Sequence, residues 1–329
     1  MSVDVGQTSA TGPMATTEAL PTEADAAEIV RRVSGRGVES IRRFPTGLAH
    51  WVYDVRMPDG SGVVVRLGTR DQRGDFLGAL HWSKTLRPFA VPLPQILAYG
   101  DYRDQPYLVL ERLSGQDLGQ AYRSLTSPER RSIAEDVCRI QRIVGALPEG
   151  PGFGYLRLPD EPGRESWADV IEAELARSRR RIEKTGVVSR DSVDCVATRA
   201  RQFQSYFSRV RPTPFLYDVT TKNVLVHTGR LRGIVDVDCL CFGDSLFTVA
   251  LTRASLLASA DDPEYTDHWC DLLALTTEQH HALRFYTALF CVGFMSEFGQ
   301  RFSQEVQQLD REHLARLEKL LKETLNDIE

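Results

Sequence analysis

The segment FLYDVTTKNVLVHTGRLRGIVDVD (residues 215–238) places three polar side chains in apolar, β-branched surroundings. Short strand-like runs flank Asp218, Asn223 and Asp236, and the turn at 228–230 predicts a hairpin that brings Asn223 and Asp236 to one end. Buried carboxylates are costly without a compensating cation. Carboxylate and amide oxygens suit Mg²⁺, so the segment predicts a metal and phosphate site. The spacing D-x4-N alone is weak, and a polar loop capped by an Asx turn is the ordinary alternative.

Composition restricts the class of protein. The chain has 329 residues, of which 42% are hydrophobic and 26% charged, as in a soluble globular protein. The net charge of −5 argues against general nucleic-acid binding. Apolar runs such as ALFCVGFM (288–295) are too short to span a bilayer, and the N-terminus does not resemble a signal peptide. Without a C-x-x-C pair, the six cysteines predict reduced thiols in a cytoplasmic protein.

The first part of the chain is predicted to be rich in strands. Residues 1–21 are rich in small and polar residues and are predicted to be disordered, and Thr22 is predicted to cap a helix, with Asp25 in the capping box. The order that follows is three strands, a helix and two strands, at 39–44, 51–57, 62–68, 73–86, 91–102 and 105–113. Gly74 and Gly78 weaken the predicted helix.

The second part is predicted to be mainly helical. Long helices are expected at 127–147, 165–184 and 189–210, and everything beyond about residue 244 is predicted to be helical. The cluster from Arg177 to Arg181 is interpreted as a solvated helix face, because Glu172, Glu174 and Glu183 interleave with it. A phosphate-binding patch is the alternative. The sequence therefore predicts an α+β protein with a small β-rich lobe at 22–113, a large helical lobe at 114–329 and a cleft between them.

Three motifs together resemble those of the aminoglycoside phosphotransferase family, which has the protein-kinase-like two-lobe fold. They are LYDVTTKNVL (216–225), GIVD (233–236) and GD (243–244), against a family pattern of H-G-D-x-H-x-x-N-x-L, then G-x-I-D and G-D. VVVRL (63–67) and PYLVLERLSGQDL (106–118) resemble the third strand and the hinge. The resemblance extends over nearly the whole chain from about residue 25. Leu216, Tyr217 and Thr220 stand where the family has His, Gly and His, which indicates a divergent member.

The resemblance implies an assignment for the chemical residues. Asp218 would be the catalytic aspartate that orients and deprotonates a hydroxyl group, and Asn223 and Asp236 would hold Mg²⁺. Arg66 would hold the phosphates of ATP, with GTP as a possible alternative, because its forked guanidinium suits phosphate oxygens. An outward-facing strand arginine is the alternative for Arg66.

Further residues are candidates for the nucleotide site. Asp75, on the helix after Arg66, is the nearest acid that could pair with it. Gly47 could let backbone amides approach the phosphates, although a plain turn explains a single glycine almost as well. The hinge at Glu111 and Leu113 could contact the adenine through its backbone.

The acceptor is less well defined by the sequence. Glu297, a lone acid in an apolar helix, and Asp261, in an acidic stretch that could attract polycations, are the candidate substrate residues; a capped loop is the ordinary alternative for Asp261. The favoured activity is transfer of a γ-phosphate to a hydroxyl of an aminoglycoside or another antibiotic. A metabolic acceptor such as an amino sugar, homoserine or a choline-like amine is an alternative, as is a non-catalytic nucleotide-binding module. The expected partner is a small molecule, without nucleic acid or membrane, and the protein is expected to be a monomer or a homodimer.

Overall fold

The N-terminal helix begins where the sequence predicts it. The structure, a computed structural model, describes residues 20–44, 49–302 and 305–327, so nearly all of the stretch predicted to be disordered lies outside it. Helix α1 (Glu23–Ser34) starts after Thr22, whose hydroxyl accepts a hydrogen bond from the Asp25 amide at 3.2 Å. The Asp25 carboxylate accepts one from the Thr22 amide at 2.9 Å. This reciprocal pair confirms the predicted capping box.

An antiparallel sheet forms the small lobe, in the strand order β1-β2-β3-β5-β4. Its elements are β1 (Ser40–Arg43), β2 (Trp51–Arg56), β3 (Gly62–Leu67), helix α2 (Arg73–Leu86), β4 (Ile96–Tyr102) and β5 (Gln105–Glu111). The predicted order of strands and helix is confirmed, although β4 begins only at Ile96. Alternation along β2 and β3 buries Tyr53, Val55 and Val65 beneath α1, which gives the lobe its own apolar core.

The large lobe is mainly helical, as predicted. Its elements are β6 (Gln116–Asp117), α3 (Leu118–Ala121), α4 (Ser127–Gly145), β7 (Gly154–Leu156), α5 (Trp167–Thr185), α6 (Asp191–Ala200), α7 (Gln204–Phe207), β8 (Pro214–Phe215), β9 (Val224–His227), β10 (Arg230–Ile234), β11 (Leu240–Phe242), α8 (Leu246–Ala258), α9 (Glu264–Leu273), α10 (Thr277–Met295), β12 (Arg301–Phe302), β13 (Glu305–Val306) and α11 (Arg311–Asn326). Strand β9 of the β9–β10 hairpin also pairs with β6, the first strand after the connection between the lobes. The hairpin therefore lies next to that connection. Within the described ranges, no helix is both long and apolar enough to cross a membrane.

Helix α2 packs on both lobes. Phe76 and Ala79, in its first half, contact Leu108 of the sheet. Trp82 and Leu86, in its second half, belong to the core of the large lobe, and the Trp82 indole donates to the Leu156 carbonyl at 3.2 Å. The helix therefore joins the lobes along its whole length.

Two predicted helices are shorter than the sequence suggests. The predicted helix at 189–210 is interrupted by a 3₁₀ turn at Arg201–Phe203, which lets Phe203 and Phe207 both contact Phe285, with ring centroids 4.8 and 5.7 Å away. The last periodic stretch before the C-terminal helix ends at Met295 and gives way to the short strands β12 and β13. Packing between segments that are distant in the sequence therefore determines where both helices end.

Candidate active site

The loop that carries Asp218 is held by the core beneath it. Leu216 is buried, and its backbone amide and carbonyl both bond to the side chain of Gln141 on α4, at 3.0 and 2.7 Å. This pair of bonds fixes the backbone two residues before Asp218. Gln141 therefore holds this loop from α4, through the backbone of Leu216. A single glutamine inside an amphipathic helix gives no sequence signal of that role.

Asp218 lies at the floor of the cleft. Asp218 is exposed to solvent on one side, and protein atoms surround its carboxylate on the other sides. This burial and the charge of Asp236 raise the pKa of Asp218, while a 2.9 Å hydrogen bond from the Thr220 hydroxyl opposes the shift. A carboxylate with a raised pKa and an open face can accept a proton from a bound hydroxyl group.

Asn223 and Asp236 lie beside this carboxylate, as the predicted hairpin requires. The Asn223 amide nitrogen donates to the Asp218 carbonyl at 3.0 Å, which leaves the amide oxygen as a free acceptor. The Asn223 carbonyl accepts from the Val235 amide at 2.9 Å and so ties the two segments together. Asp236 follows β10 in the left-handed region, with φ of 65°. Aspartate adopts that conformation only at some energetic cost, and such strain is typical of functional sites.

Arg66 occupies the space above these residues. It is 4% exposed and donates two hydrogen bonds to the Asp238 carboxylate, one of them 2.5 Å long. One of its nitrogens lies 3.2 Å from an Asp236 oxygen. Burial alone would lower the pKa of Arg66, but the two aspartates outweigh it and raise the pKa. Asp236 and Asp238 both lie in the loop after β10.

The expected pairing of Arg66 with Asp75 is also wrong. Asp75 contacts His50 at 3.5 Å and Arg157 at 3.4 Å, and the hydrogen bond with His50 lowers the pKa of its carboxyl. His50 in turn lies 2.8 Å from Arg66 through Nδ1. A guanidinium only donates, so Nδ1 accepts and Nε2 faces Asp75. Asp75 therefore reaches Arg66 through His50, because Asp238 already fills the direct position.

The donor atoms match a hard divalent cation better than a transition metal. His50, Asp236 and Asp238 present ligand atoms within 4.8 Å of one another. Arg66 contacts all three of these residues, however, so the group is its binding cage. The amide oxygen of Asn223 and the exposed carboxylate of Asp236 are the oxygen donors that remain, and they fit Mg²⁺.

The other candidates for the nucleotide site are Gly47, Glu111 and Leu113. Gly47 lies outside the described residues. Glu111 ends β5, where its amide and carboxylate both bond to the backbone of Gln95, at 2.8 and 3.1 Å. Leu113 follows in the connection to the large lobe and packs closely on Gly233 of β10. Both residues stay candidates for the nucleotide site.

Glu297, a candidate substrate residue, lies 3.8 Å from Arg181 of α5. Glu297 follows α10, where burial raises its pKa and the charges of Arg181, Arg177 and Lys222 oppose the shift. The interpretation of these arginines as a solvated face is wrong for Arg177 and Arg181, which are half-buried and face Glu174 and Glu297. Interleaved charges look the same on a solvated helix and on one that lines a cleft, so the sequence does not distinguish the two.

The acidic stretch that includes Asp261 is engaged elsewhere. The Asp261 carboxylate accepts from Arg123 at 2.7 Å, and its side chain is only 13% exposed. Arg130 binds Asp262 and Glu264 in the same way, at 3.0 and 2.8 Å. None of the contacts of Asp261 reaches the described residues around Asp218. The structure therefore does not bring Asp261 to the acceptor side.

Asp244, the aspartate of the GD motif (243–244), has a structural role. Asp244 is half-buried and accepts hydrogen bonds from the hydroxyls of Tyr206 and Tyr286, at 2.7 and 3.0 Å, and from the Leu246 amide at 3.0 Å. Burial raises its pKa. The Leu246 amide is the first of α8, so the Asp244 carboxylate satisfies a helix-terminal amide from the residue before the N-cap, Ser245.

Comparison with known proteins agrees with this geometry. Residues 40–286 match the model of the phosphotransferase enzyme family. No curated protein sequence matches the chain significantly. Among solved structures, a thermostable mutant of aminoglycoside phosphotransferase APH(4)-Ia superposes with a TM-score of 0.68 in its apo form and 0.63 in a ternary complex with ADP and hygromycin B. Both are 17% identical, and the match covers 92% of this chain and 98% of theirs.

Two other proteins have the same fold. A putative fructosamine-3-kinase from Thermobifida fusca YX-ER1 has a TM-score of 0.61 at 17% identity, over 92% of this chain and 97% of its own. A mutant of aminoglycoside 2′-phosphotransferase-IIIa in complex with GDP has a TM-score of 0.66 at 13% identity, over 93% and 98%. At these identities the superpositions establish the kinase-like fold, and the acceptor has to be inferred from the residues of the cleft.

Proposed function

Because the chain belongs to the phosphotransferase enzyme family, we propose that it transfers the γ-phosphate of ATP to a hydroxyl group of a small molecule and that it requires Mg²⁺. One observation carries the proposal: Asp218, Asn223 and Asp236 converge beneath a buried arginine at the junction of the two lobes. The order of these residues along the chain and their roles follow the phosphotransferase motif from which the sequence analysis began.

Each residue has a defined task in this reaction. Asp218 orients the acceptor hydroxyl and takes its proton as the oxygen attacks the γ-phosphorus and the bond to ADP breaks. Arg66 holds phosphate oxygens with its forked guanidinium. Mg²⁺, held by Asn223 and Asp236, would neutralise the charge of the phosphates. Most of the rate gain comes from positioning and from this neutralisation.

The present contacts of Arg66 imply an exchange of partners. In this structure Arg66 lies against Asp236, which we assign to the metal, and it binds Asp238 through two hydrogen bonds. With Mg²⁺ bound, Asp236 would serve as a metal ligand, and Asp238 would hold the Arg66 guanidinium in place. Arg66 thus compensates the charge of Asp236 until the metal does so.

The acceptor is a separate question. The neighbouring phosphotransferase binds hygromycin B, and an antibiotic acceptor is the interpretation that the sequence favours. The putative fructosamine-3-kinase, which is equally similar, supports a metabolic acceptor to the same degree. GTP stays an alternative to ATP, since another relative is a GDP complex.

Replacement of Asp218 by asparagine tests the proposal. Asp218→Asn removes the proton acceptor but keeps the size and most hydrogen bonds of the side chain. We expect kcat for transfer to fall by at least about 100-fold, the usual contribution of a general base, while ATP binding measured by calorimetry stays within about twofold. Retained turnover would contradict the role of Asp218. A wild-type protein that binds ATP and phosphorylates nothing in a broad panel of antibiotics and metabolites would instead be a non-catalytic nucleotide-binding module.

A further inference from the structure

The connection between the lobes begins with three residues whose side chains contact three different segments. The Glu111 carboxylate accepts a hydrogen bond from the Gln95 amide, just before β4, at 3.1 Å. Leu113 packs against β10, because a Cβ atom at Gly233 would lie 2.4 Å from its Cδ1 atom. Arg112, between them, reaches back across the sheet to β2. The start of the connection is therefore held by contacts with β4, β10 and β2.

Arg112 forms a bidentate ion pair with Asp54 of β2. Its Nε and Nη2 atoms donate to the two carboxylate oxygens at 2.7 and 3.0 Å. The Asp54 side chain is only 7% exposed and that of Arg112 is 23% exposed. Two parallel charged hydrogen bonds fix the orientation of a guanidinium as well as its position. The pair therefore ties the connection firmly to the sheet of the small lobe.

This ion pair lies on the face of the sheet that carries Arg66. Side chains alternate along a strand, so Gly62, Val64 and Arg66 of β3 point to the same face. A Cβ atom at Gly62 would lie 3.1 Å from Cδ of Arg112, so the Arg112 side chain crosses the sheet at that point. Asp54 is the cross-strand partner of Val64 and shares its face. One face of the sheet thus has Arg112 at one end of β3 and Arg66 at the other.

An apolar surface separates these two arginines. Val52 is the cross-strand partner of Arg66, and Val64 precedes Arg66 by two residues on β3. Both valines are half-buried. The strand rises by about 13 Å between Gly62 and Arg66. A nucleotide whose phosphates lie at Arg66 can therefore place its base against the two valines, with the Asp54–Arg112 pair at the outer end.

The backbone of Leu113 is available to such a base. In the part of the chain that the structure describes, its amide and carbonyl bond to no other backbone group. An amide and a carbonyl can pair with the acceptor and donor atoms on the edge of a purine. Binding through backbone groups is tighter when the backbone is held in advance, because less conformational entropy is lost.

We propose that the Asp54–Arg112 ion pair positions the nucleotide base by fixing the connection at Leu113. The base then binds beneath Val52 and Val64. The proposal rests on the proposed function and concerns its nucleotide site. Asp54 and Arg112 are positioning residues, because they act on the base through the backbone that they hold.

Arg112→Gln and Asp54→Asn each remove the ion pair from one side. We expect each variant to raise the KM for ATP and the Kd of a non-hydrolysable ATP analogue by about tenfold, the effect of a lost charged hydrogen bond. The kcat for ADP release at saturating ATP should stay within about twofold, because Arg66 and Asp218 are unchanged. Tripolyphosphate with Mg²⁺ has no base, so its binding to the full-length protein, measured by calorimetry, should also stay within about twofold.

Arg56→Gln is the matched control. Arg56 also faces Asp54, at 3.6 Å, but it ends β2 and does not belong to the connection. Its replacement should leave the KM for ATP within about twofold. In Arg112→Gln, Asp54 keeps Arg42 and Arg56 as charged neighbours, so its carboxylate is not left alone. Circular dichroism and thermal melting of every variant verify the fold.

A double variant tests whether the two residues act as one unit. Asp54→Asn combined with Arg112→Gln should raise the KM for ATP no further than either change alone, because the first change already removes the pair. Additive effects would mean that the two side chains act separately and would overturn the proposal.

The remaining outcomes separate this proposal from the proposed function. An unchanged KM in both single variants, or an equal loss of tripolyphosphate and analogue binding, would overturn the positioning of the base and leave the kinase activity standing. A wild-type protein that does not bind the ATP analogue would contradict the proposed function, and the base site with it.

Discussion

Arg66 depends on residues that are far away in sequence. It lies 172 positions before Asp238, the carboxylate that binds it most closely. The pair connects the sheet of the small lobe with the loop after β10 in the large lobe. Asp236, two residues earlier, shares the guanidinium from a strained backbone conformation. The position of Arg66 in the cleft therefore rests on Asp238.

Substitution of Asp238 should affect the metal and the nucleotide together. In Asp238→Asn the guanidinium loses a charged partner, so Asp236 becomes its main carboxylate and is less available to Mg²⁺. We expect the Mg²⁺ concentration for half-maximal activity and the KM for ATP to rise by about tenfold, the cost of a lost charged hydrogen bond. Steady-state kinetics with Mg²⁺ and ATP varied independently measure both.

The matched control for Asp238→Asn is Asp75→Asn. Asp75 contacts His50 and not Arg66, and it acts on Arg66 only as a more distant charge, so its replacement should change both constants less. Equal effects of the two variants would show that Asp238 has no special role in positioning Arg66.

At the scale of single residues, the sequence identified the types of functional residue better than their contact partners. Asp218, Asn223 and Asp236 were grouped correctly because they lie on one hairpin, whose spacing can be read from the sequence. The partners of Arg66 and the clamp by Gln141 join segments that meet only in the folded chain, so local spacing could not indicate them. The same holds for Arg181, whose neighbour Glu297 belongs to another segment, after α10.

At the scale of the elements, helix α2 is approached very closely by another segment of the chain. The sequence suggested that Gly74 and Gly78 weaken it, yet it runs from Arg73 to Leu86 as predicted. A Cβ atom at Gly78 would lie 2.0 Å from the Asp238 carbonyl oxygen, so the loop after β10 passes directly against the helix. A glycine is needed there because of tertiary contact, which intrinsic helix propensity does not describe.

Gly78→Ala should therefore have the opposite effect to the one that helix propensity predicts. Propensity alone would stabilise the helix by up to about 1 kcal/mol, but the clash should destabilise the protein by about 1–3 kcal/mol. It should also weaken ATP binding, because Asp238 has to move. Chemical denaturation and calorimetry measure the two effects.

Gly293→Ala provides the control for this substitution. Gly293 lies in α10, and a Cβ atom at that position would have no neighbouring side chain or segment of the described chain within 4 Å. We expect a neutral or slightly stabilising change there. A similar gain of stability in Gly78→Ala would refute the close approach of the loop to α2.

At the scale of the whole molecule, Asp244 connects three segments of the large lobe. Tyr206, Tyr286 and the start of α8 all bond to its carboxylate. Burial raises the pKa of Asp244 in the folded protein, although these hydrogen bonds oppose the shift. Because the folded-state pKa lies above the unfolded one, the associated stability is complete below the unfolded value, near about 4. It is lost as the pH rises through the folded-state value.

Asp244→Asn should remove this pH dependence. The free energy of unfolding of the variant, relative to wild type, should increase as the pH rises from about 4, by up to about 1.4 kcal/mol for each unit by which folding raises the pKa. Urea unfolding of both proteins between about pH 4 and 8 measures the difference. Parallel curves, or a relative loss of stability in the variant with rising pH, would contradict the assignment.

The two-lobe architecture and the order of its elements could be predicted because hydrophobic periodicity is a local property of the sequence. The interruption of the helix predicted at 189–210 could not, since contacts of Phe203 and Phe207 with Phe285 decide it.

The anchoring of α2 in both lobes has a thermodynamic consequence. Phe76 and Ala79 belong to the apolar cluster beneath the sheet, while Trp82 and Leu86 belong to the core of the large lobe. Loss of either lobe would expose half of this helix, so we expect the lobes to unfold in one cooperative transition. A chain cut after Leu113 would separate Trp82 from Leu156. The boundary between the lobes thus lies within a single folding unit, although the residues proposed for phosphate binding and for catalysis, Arg66 and Asp218, fall on different sides of it.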